Sequence, residues 1–197
     1  MIAYVESNFV LEVALRQEEA EAAEAILRLA EDRKLQLAFP AFALMEPFST
    51  IRYHHVERQR LARSVDEQLK QLQRSTPHKQ VAASLKRVPI ALGEIYRTEI
   101  DLLEQTVGRL LAAGKPIEVN RSSFAEALGY ERRYDLTPQD ALIYAAVIED
   151  LRQQDPTATK CFISRNWKDF SDPGIESGVE FSQLLLPRHF CRRPKLS

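Results

Sequence analysis

The chain is poor in cysteine, in glycine and in net charge, and each scarcity narrows the class of protein to which it belongs. Its two cysteines, Cys161 and Cys191, lie far apart and form no CxxC pair. This pattern argues against a disulfide scaffold and predicts a reducing, cytoplasmic setting. No apolar run approaches the ~20 residues of a membrane helix. No basic region followed by an apolar run opens the sequence, so we expect no signal peptide and no membrane partner.

The net charge of −1 does not by itself indicate a nucleic-acid-binding protein. It does not exclude one either, because a nuclease balances an acidic active site against a basic binding face. Basic residues crowd the predicted tail at 188–197, where they are Arg188, His189, Arg192, Arg193 and Lys195. A second group on a helical stretch consists of Arg52, His54, His55, Arg58, Arg60 and Arg63. Each group has two interpretations, a solvated surface or a surface that contacts phosphates.

Short apolar runs alternate with longer amphipathic stretches along the chain. We expect strands at 2–5, 35–39, 117–119, 160–164 and 179–181. Helices are expected at 8–15, 18–33, 43–74, 78–113, 122–129 and 138–154, with a break near Pro89. Short apolar and β-branched strands that alternate with helices favour an α/β fold with a mostly parallel sheet.

Only 6 of the 197 residues are glycine, and no repeat or low-complexity linker divides the chain. We therefore predict a single domain at 1–187, followed by the basic tail. The helical excess at about 70–120 is expected to be an elaboration of that domain. Its long charged helices offer a surface for a homodimer or for another protein partner.

The segment that starts at Leu136 is the most informative in the chain. Thr137 is a good cap, and Pro138 suits the first position of a helix. Asp140 then falls in the first turn of a helix that is otherwise apolar and rich in small residues. A carboxylate held at the rim of a buried helix is either a simple cap or a metal ligand.

Other polar side chains are expected near Asp140, because each follows a predicted strand. Glu6 comes directly after the first strand, Glu46 a few residues after the second, and Asn166 after the strand at 160–164. The carboxyl ends of parallel strands meet at one edge of a sheet, where functional groups gather. Together these side chains would form an oxygen-rich cluster of the kind that Mg²⁺ or Mn²⁺ prefers.

These pieces, in this order, resemble the PIN domain family of metal-dependent ribonucleases, which includes the toxins of the VapC type. The matching segments are Tyr4-Val5-Glu6-Ser7-Asn8, Pro40 with Glu46, Asp140-Ala141-Leu142-Ile143, and Phe162-Ile163-Ser164-Arg165-Asn166-Trp167-Lys168-Asp169-Phe170. They span residues 4 to 170. The resemblance implies a three-layer α/β/α sandwich around a mostly parallel sheet, with an enlarged helical segment here.

The resemblance also implies an activity, the hydrolysis of RNA phosphodiester bonds with Mg²⁺ or Mn²⁺. The catalytic residues would be Glu6, Glu46, Asp140 and Asn166. The metal ligands would be Glu6, Asp140, Asn166 and Asp169, supported by Ser7, Asn8 and Ser164. The implied partners are RNA and, for a toxin-like protein, an antitoxin.

The chain departs from the family pattern at two of these positions. The first acid is usually Asp, and here it is Glu6; the fourth position is often Asp, and here it is Asn166. The departures motivate a second hypothesis, a catalytically weakened module that binds RNA or a protein. A third is an α/β protein without nuclease activity, in which Glu6, Glu46 and Asp140 serve only as helix caps and first-turn acids.

Overall fold

The computed structural model of the protein describes residues 1–164 together with residues 184–185. Contacts divide the chain into two compact units, one formed by Met1–Pro47 and the chain from Gln105 onward, the other by Phe48–Glu104. The single domain at 1–187 stays a prediction. The helical unit at 48–104 begins and ends earlier than the elaboration expected at about 70–120.

The first unit is built on a parallel sheet. Its described strands are β1 (Ile2–Val5), β2 (Gln36–Pro40), β3 (Gly114–Ile117), β4 (Lys160–Ile163) and β5 (Leu184–Leu185). They lie in the order β3-β2-β1-β4-β5, and each neighbouring pair is parallel. The prediction of a mostly parallel sheet is confirmed. The strand expected at 179–181 lies outside the described residues.

Helices cover both faces of this sheet. Those of the first unit are α1 (Ser7–Leu15), α2 (Ala20–Glu31), α6 (Arg121–Tyr134) and α7 (Pro138–Gln153). The chain steps from β1 to β2 through the first two and from β3 to β4, in the opposite direction, through the last two. Because parallel crossovers are right-handed, opposite directions place the two helix pairs on opposite faces. The predicted three-layer α/β/α arrangement is confirmed.

Side chains alternate along each strand and so pack on both faces of the sheet, where each face is covered by helices. Tyr4 and Phe162 pack in one apolar cluster with α7, whose small residues Ala141, Ala145 and Ala146 allow the helix to lie close to the sheet. Neighbouring strand residues point to the other face, since side chains alternate along a strand. Strands buried on both faces read as continuous apolar runs, which is why the sequence located them.

The second unit is helical and contains most of α3 (Glu46–Leu72), a 3₁₀ turn at Thr76–His78, α4 (Lys79–Leu85) and the first part of α5 (Val88–Ala113). Arg58 and Glu99 join the two long helices through two hydrogen bonds of 2.7 and 2.8 Å. The rings of His55 and Tyr96 stack with their centroids 4.0 Å apart. None of the described helices is both long and apolar enough to cross a membrane.

The break predicted near Pro89 is present and falls between Leu85 and Val88. Pro89 itself lies in the first turn of α5, where a missing N–H costs no hydrogen bond. Other predicted boundaries were wrong. The third strand begins at Gly114, three residues earlier than expected. A 3₁₀ turn at Ala41–Leu44 precedes α3, and α6 runs on to Tyr134.

Candidate active site at the carboxyl edge of the sheet

The order in which the strands join the sheet reverses between β1 and β4, where the crevice of an open parallel sheet is expected. From β1 the chain first builds the sheet toward β2 and β3, and it later adds β4 on the other side. Ligands of open parallel sheets bind outside the carboxyl ends of the strands at such a point of reversal. Val5 pairs with Ile163 at these two carboxyl ends. The residues that follow them, Glu6 and Ser164, therefore meet at the crevice.

Glu6 is held there by hydrogen bonds to both of its carboxylate oxygens. Oε2 accepts from the Ser7 hydroxyl at 3.0 Å and from the Asn8 backbone N–H at 3.2 Å. Oε1 accepts from the Ser164 hydroxyl at 3.2 Å. Glu6 is thus the N-cap of α1, as the cap interpretation expected. It is also the side chain that joins β1 to β4, which a cap alone does not require.

The Glu6 carboxyl is buried from solvent, which is unusual for an acidic side chain. The residue is only 4 % exposed. Burial raises the pKa of Glu6, while the hydrogen bonds from Asn8, Ser7 and Ser164 lower it, and burial dominates. A buried carboxylate of this kind is stabilised by a nearby cation.

Asp140 lies in the first turn of α7, as predicted. The Thr137 hydroxyl caps the helix by accepting from the Asp140 backbone N–H at 3.2 Å and donates to Asp140 Oδ2 at 2.6 Å. The second carboxylate oxygen, Oδ1, accepts no hydrogen bond from the residues that the structure describes. The chain runs from the end of α7 into β4, so the first turn of α7 lies toward the carboxyl edge of the sheet.

Glu46 is the first residue of α3 and follows β2 through the 3₁₀ turn. Its Oε2 atom is buried and has no hydrogen-bond partner among the described residues. A buried oxygen without a donor costs about 1–3 kcal/mol, more if charged. This oxygen is chemically suited to a metal ion or to a water bound to one.

The expected ligands are thus only partly brought together. Within residues 1–164 and 184–185, no group of three or more His, Cys, Asp or Glu side chains is placed to hold a metal ion. The donor set of Glu6, Glu46 and Asp140 fits a hard divalent cation in its chemistry, since all are carboxylates with buried or unpaired oxygens. The remaining expected ligands, Asn166 and Asp169, lie outside the described residues, as does the basic tail at 188–197.

The sequence analysis missed the buried acid Asp150. Asp150, in α7, accepts hydrogen bonds from the Tyr4 hydroxyl at 2.8 Å, from Lys115 Nζ at 2.7 Å and from Gln154 Nε2 at 2.9 Å. Ten residues of helix separate it from Asp140, a distance of about 15 Å. The Asp150 network therefore lies away from the carboxyl edge and holds α7 to β1 and β3. Its signal in the sequence was a charged residue among the apolar positions of α7.

The basic residues on α3 differ in whether their charges are already paired. Arg58 pairs with Glu99, and Arg60 pairs with Glu57 at 2.6 Å, so both guanidinium groups already have carboxylate partners. Arg52 and Arg63 are exposed.

Cys161 is half-buried and burial raises the pKa of its thiol, so it is a poor nucleophile at neutral pH.

Comparison with protein families supports this arrangement. A family model described as a PIN domain matches residues 4–170, which include the carboxyl ends of β1 and β4, the start of α7 and the segment that carries Asn166 and Asp169. No curated protein matches the chain, and no solved structure does.

Proposed function

The chain belongs to the PIN domain family, a nuclease fold, and on this premise we propose that it is a metal-dependent endoribonuclease that hydrolyses RNA phosphodiester bonds. The observation that carries the proposal is the buried Glu6, bonded to Ser164 across the point where the strand order reverses. A functional carboxylate of an open parallel sheet is expected at this position.

The described residues support distinct roles. Glu6 and Asp140 would hold Mg²⁺ or Mn²⁺, together with Asn166 and Asp169 from the segment that follows β4. Glu46 would bind the metal through water or act as the base, through Oε2, which has no hydrogen-bond partner among the described residues. When bound, the metal would activate a water and stabilise the departing oxygen of the phosphodiester.

The chain's own contribution is to fix the carboxylates before substrate arrives. Ser7, Asn8 and Ser164 orient Glu6 and offset part of the cost of its burial. Thr137 holds one oxygen of Asp140 and leaves the other available. Side chains fixed in this way need no rearrangement during the reaction, which favours catalysis.

A second candidate function has a specific observation in its favour. Both oxygens of Glu6 accept hydrogen bonds, burial raises its pKa, and the described residues form no three-carboxylate group. These features suit a PIN-like module that binds RNA or a protein and cuts slowly or not at all. An antitoxin partner belongs to the toxin-like version of the first proposal.

Cleavage of labelled single-stranded RNA separates the two functions. The nuclease cuts with Mn²⁺, stops in EDTA and loses activity on Asp140→Asn. The binding module retains RNA or protein binding, and no metal-dependent product forms over a range of RNA sequences.

A further inference from the structure

An apolar groove of about 530 Å³ lies beside the first turn of α7, in the first unit. The residues that line it include Phe42, Phe124, Leu128, Glu131, Pro138 and Gln139. Phe42 belongs to the 3₁₀ turn after β2. Pro138 and Gln139 directly precede Asp140, so the groove adjoins the carboxyl edge at which the candidate active site lies.

One side of the groove is a stripe on α6. Phe124, Leu128 and Glu131 are spaced four and three residues apart and therefore share one face of that helix. Phe124 is 57 % exposed and Leu128 is 60 % exposed. Exposing two large apolar side chains together is costly, and such a patch usually marks a binding site.

The polar groups of the groove select among ligands. Of the described side chains that line it, none is Lys or Arg, and the one ionisable group is the Glu131 carboxylate. A carboxylate repels phosphate but accepts hydrogen bonds from the exocyclic amino groups of cytosine and adenine. The Gln139 amide can donate or accept at a base edge. The largely exposed Phe124 ring offers a surface on which an unpaired base stacks, while Phe42 is half-buried against the core.

We propose that this groove binds an unpaired nucleobase of a single-stranded RNA next to the scissile phosphate, with Phe124 as the stacking platform and Glu131 and Gln139 as determinants of base preference. The position next to the scissile phosphate rests on the proposed nuclease function, whereas base binding itself requires no catalysis. The ligand would be RNA with splayed-out bases, since paired bases cannot enter such a groove.

The test uses a single-stranded oligoribonucleotide that carries one 2-aminopurine, titrated with the full chain in EDTA. Stacking on a ring changes the fluorescence of this base. Phe124→Ala is expected to weaken binding about tenfold and to abolish the fluorescence change. Leu111→Ala is the matched control, because Leu111 is 54 % exposed outside the groove, and it should bind as the wild type does.

Glu131→Gln tests base preference without removing apolar surface. Oligonucleotides with cytosine at the probed position should lose most of their advantage over uracil in this variant, because a neutral amide accepts more weakly than a carboxylate and can also donate to O4 of uracil. A purely structural role would not cause this change. With Mn²⁺ present, the nucleotide preference at the cut position should shift in the same direction. Circular dichroism melting checks that each variant is folded.

The outcomes distinguish this inference from the proposed nuclease function. If the wild type cuts no RNA but still shows Phe124-dependent stacking, the base site stands and the nuclease does not. If the wild type cuts RNA while Phe124→Ala and Glu131→Gln keep its affinity and preference, the base site is overturned. It is equally overturned if Phe124→Ala changes only self-association, measured by light scattering, because the groove is then an interface between copies.

Discussion

The hydroxyl of Ser164 donates a 3.2 Å hydrogen bond to Oε1 of Glu6, and this bond joins the carboxyl ends of the neighbouring strands β1 and β4. The two residues are 158 positions apart in the chain. Their meeting depends on the whole sheet being assembled in the order found. It places a buried carboxylate at the point of strand reversal, where the functional groups of an open parallel sheet are expected.

Ser164→Ala is expected to lower ribonuclease activity about tenfold, in the range seen when a metal ligand loses its hydrogen-bond partner. Stability should fall by about 1.5 kcal/mol, because the lost bond is to an acid. Initial cleavage rates and urea denaturation measure the two effects. Ser84→Ala is the control, since its hydroxyl bonds only to a backbone oxygen on the surface of the helical unit, and it should change neither. Unchanged activity in Ser164→Ala would show that Glu6 needs no positioning by β4.

Glu6→Gln is expected to stabilise the metal-free protein at neutral pH. Burial raises the pKa of Glu6 above its ordinary value of 4.5, so the folded chain binds this proton more tightly than the unfolded chain does. Between pH 4.5 and the raised pKa, the free energy of unfolding should therefore fall as pH rises, by about 1.4 kcal/mol per pKa unit of difference. Below pH 4.5 the folded and unfolded chains both hold this proton, so the free energy of unfolding does not depend on pH through Glu6. Above the raised pKa, the loss in the free energy of unfolding stays constant.

Urea denaturation in EDTA from pH 4 to pH 8 measures this dependence, which should be reduced in Glu6→Gln. Glu149→Gln is a control of opposite sign, because hydrogen bonds from Asn120, Ser123 and Ser122 lower the pKa of Glu149. Its stabilisation is present above pH 4.5 and is lost as pH falls. A Glu6→Gln variant that is less stable than the wild type at neutral pH would contradict the burial argument.

The sequence was sufficient to predict the fold class and the place of Glu6 and Asp140, for identifiable reasons. Doubly buried strands read as apolar runs, and Thr137-Pro138 is a strong helix start. Boundaries set by tertiary contacts could not be predicted. β3 begins at Gly114, where the backbone lies so close to β2 that a Cβ would meet the Phe39 ring at 2.7 Å. No pattern in the neighbouring sequence indicates this close approach.

Long-range polar contacts were equally out of reach of the sequence. Two partners of Asp150, Tyr4 and Lys115, come from β1 and β3, more than 30 residues away, so its role follows only from the sheet register. The groove beside α7 depends on α6 lying against the helix start. Periodicity identifies Phe124 and Leu128 as one stripe but does not say what faces it.

Tyr4→Phe is expected to destabilise the protein by about 1–3 kcal/mol while the folded fraction keeps its activity. The buried Asp150 would lose the Tyr4 donor at 2.8 Å, and burial together with this carboxylate is what raises the pKa of Tyr4. Thermal and urea denaturation measure the stability, and cleavage rates corrected for the folded fraction measure the activity. Tyr53→Phe, on an exposed ring, is the control. A large loss of activity without loss of stability would place the Asp150 network in the active site.

Mn²⁺ is expected to raise the melting temperature of the wild type, because a ligand that binds only the folded state stabilises it, by about 2.7 kcal/mol at a hundredfold excess over its Kd. Asp140→Asn should show a much smaller shift, since it removes a charged ligand. Asp101→Asn, an exposed acid of the helical unit, should respond as the wild type does. Equal shifts in all three proteins would mean that Mn²⁺ binds elsewhere.

The most direct test of the central claim is the rate at which the purified chain cuts labelled single-stranded RNA with Mn²⁺, compared for the wild type and Asp140→Asn. We predict cleavage by the wild type that EDTA abolishes, and a loss of about 100-fold or more in the variant, whose melting temperature in EDTA stays close to that of the wild type. Cleavage at equal rates in the two proteins, or no metal-dependent cleavage of any RNA by the wild type, would contradict a carboxylate metal site built on Glu6 and Asp140.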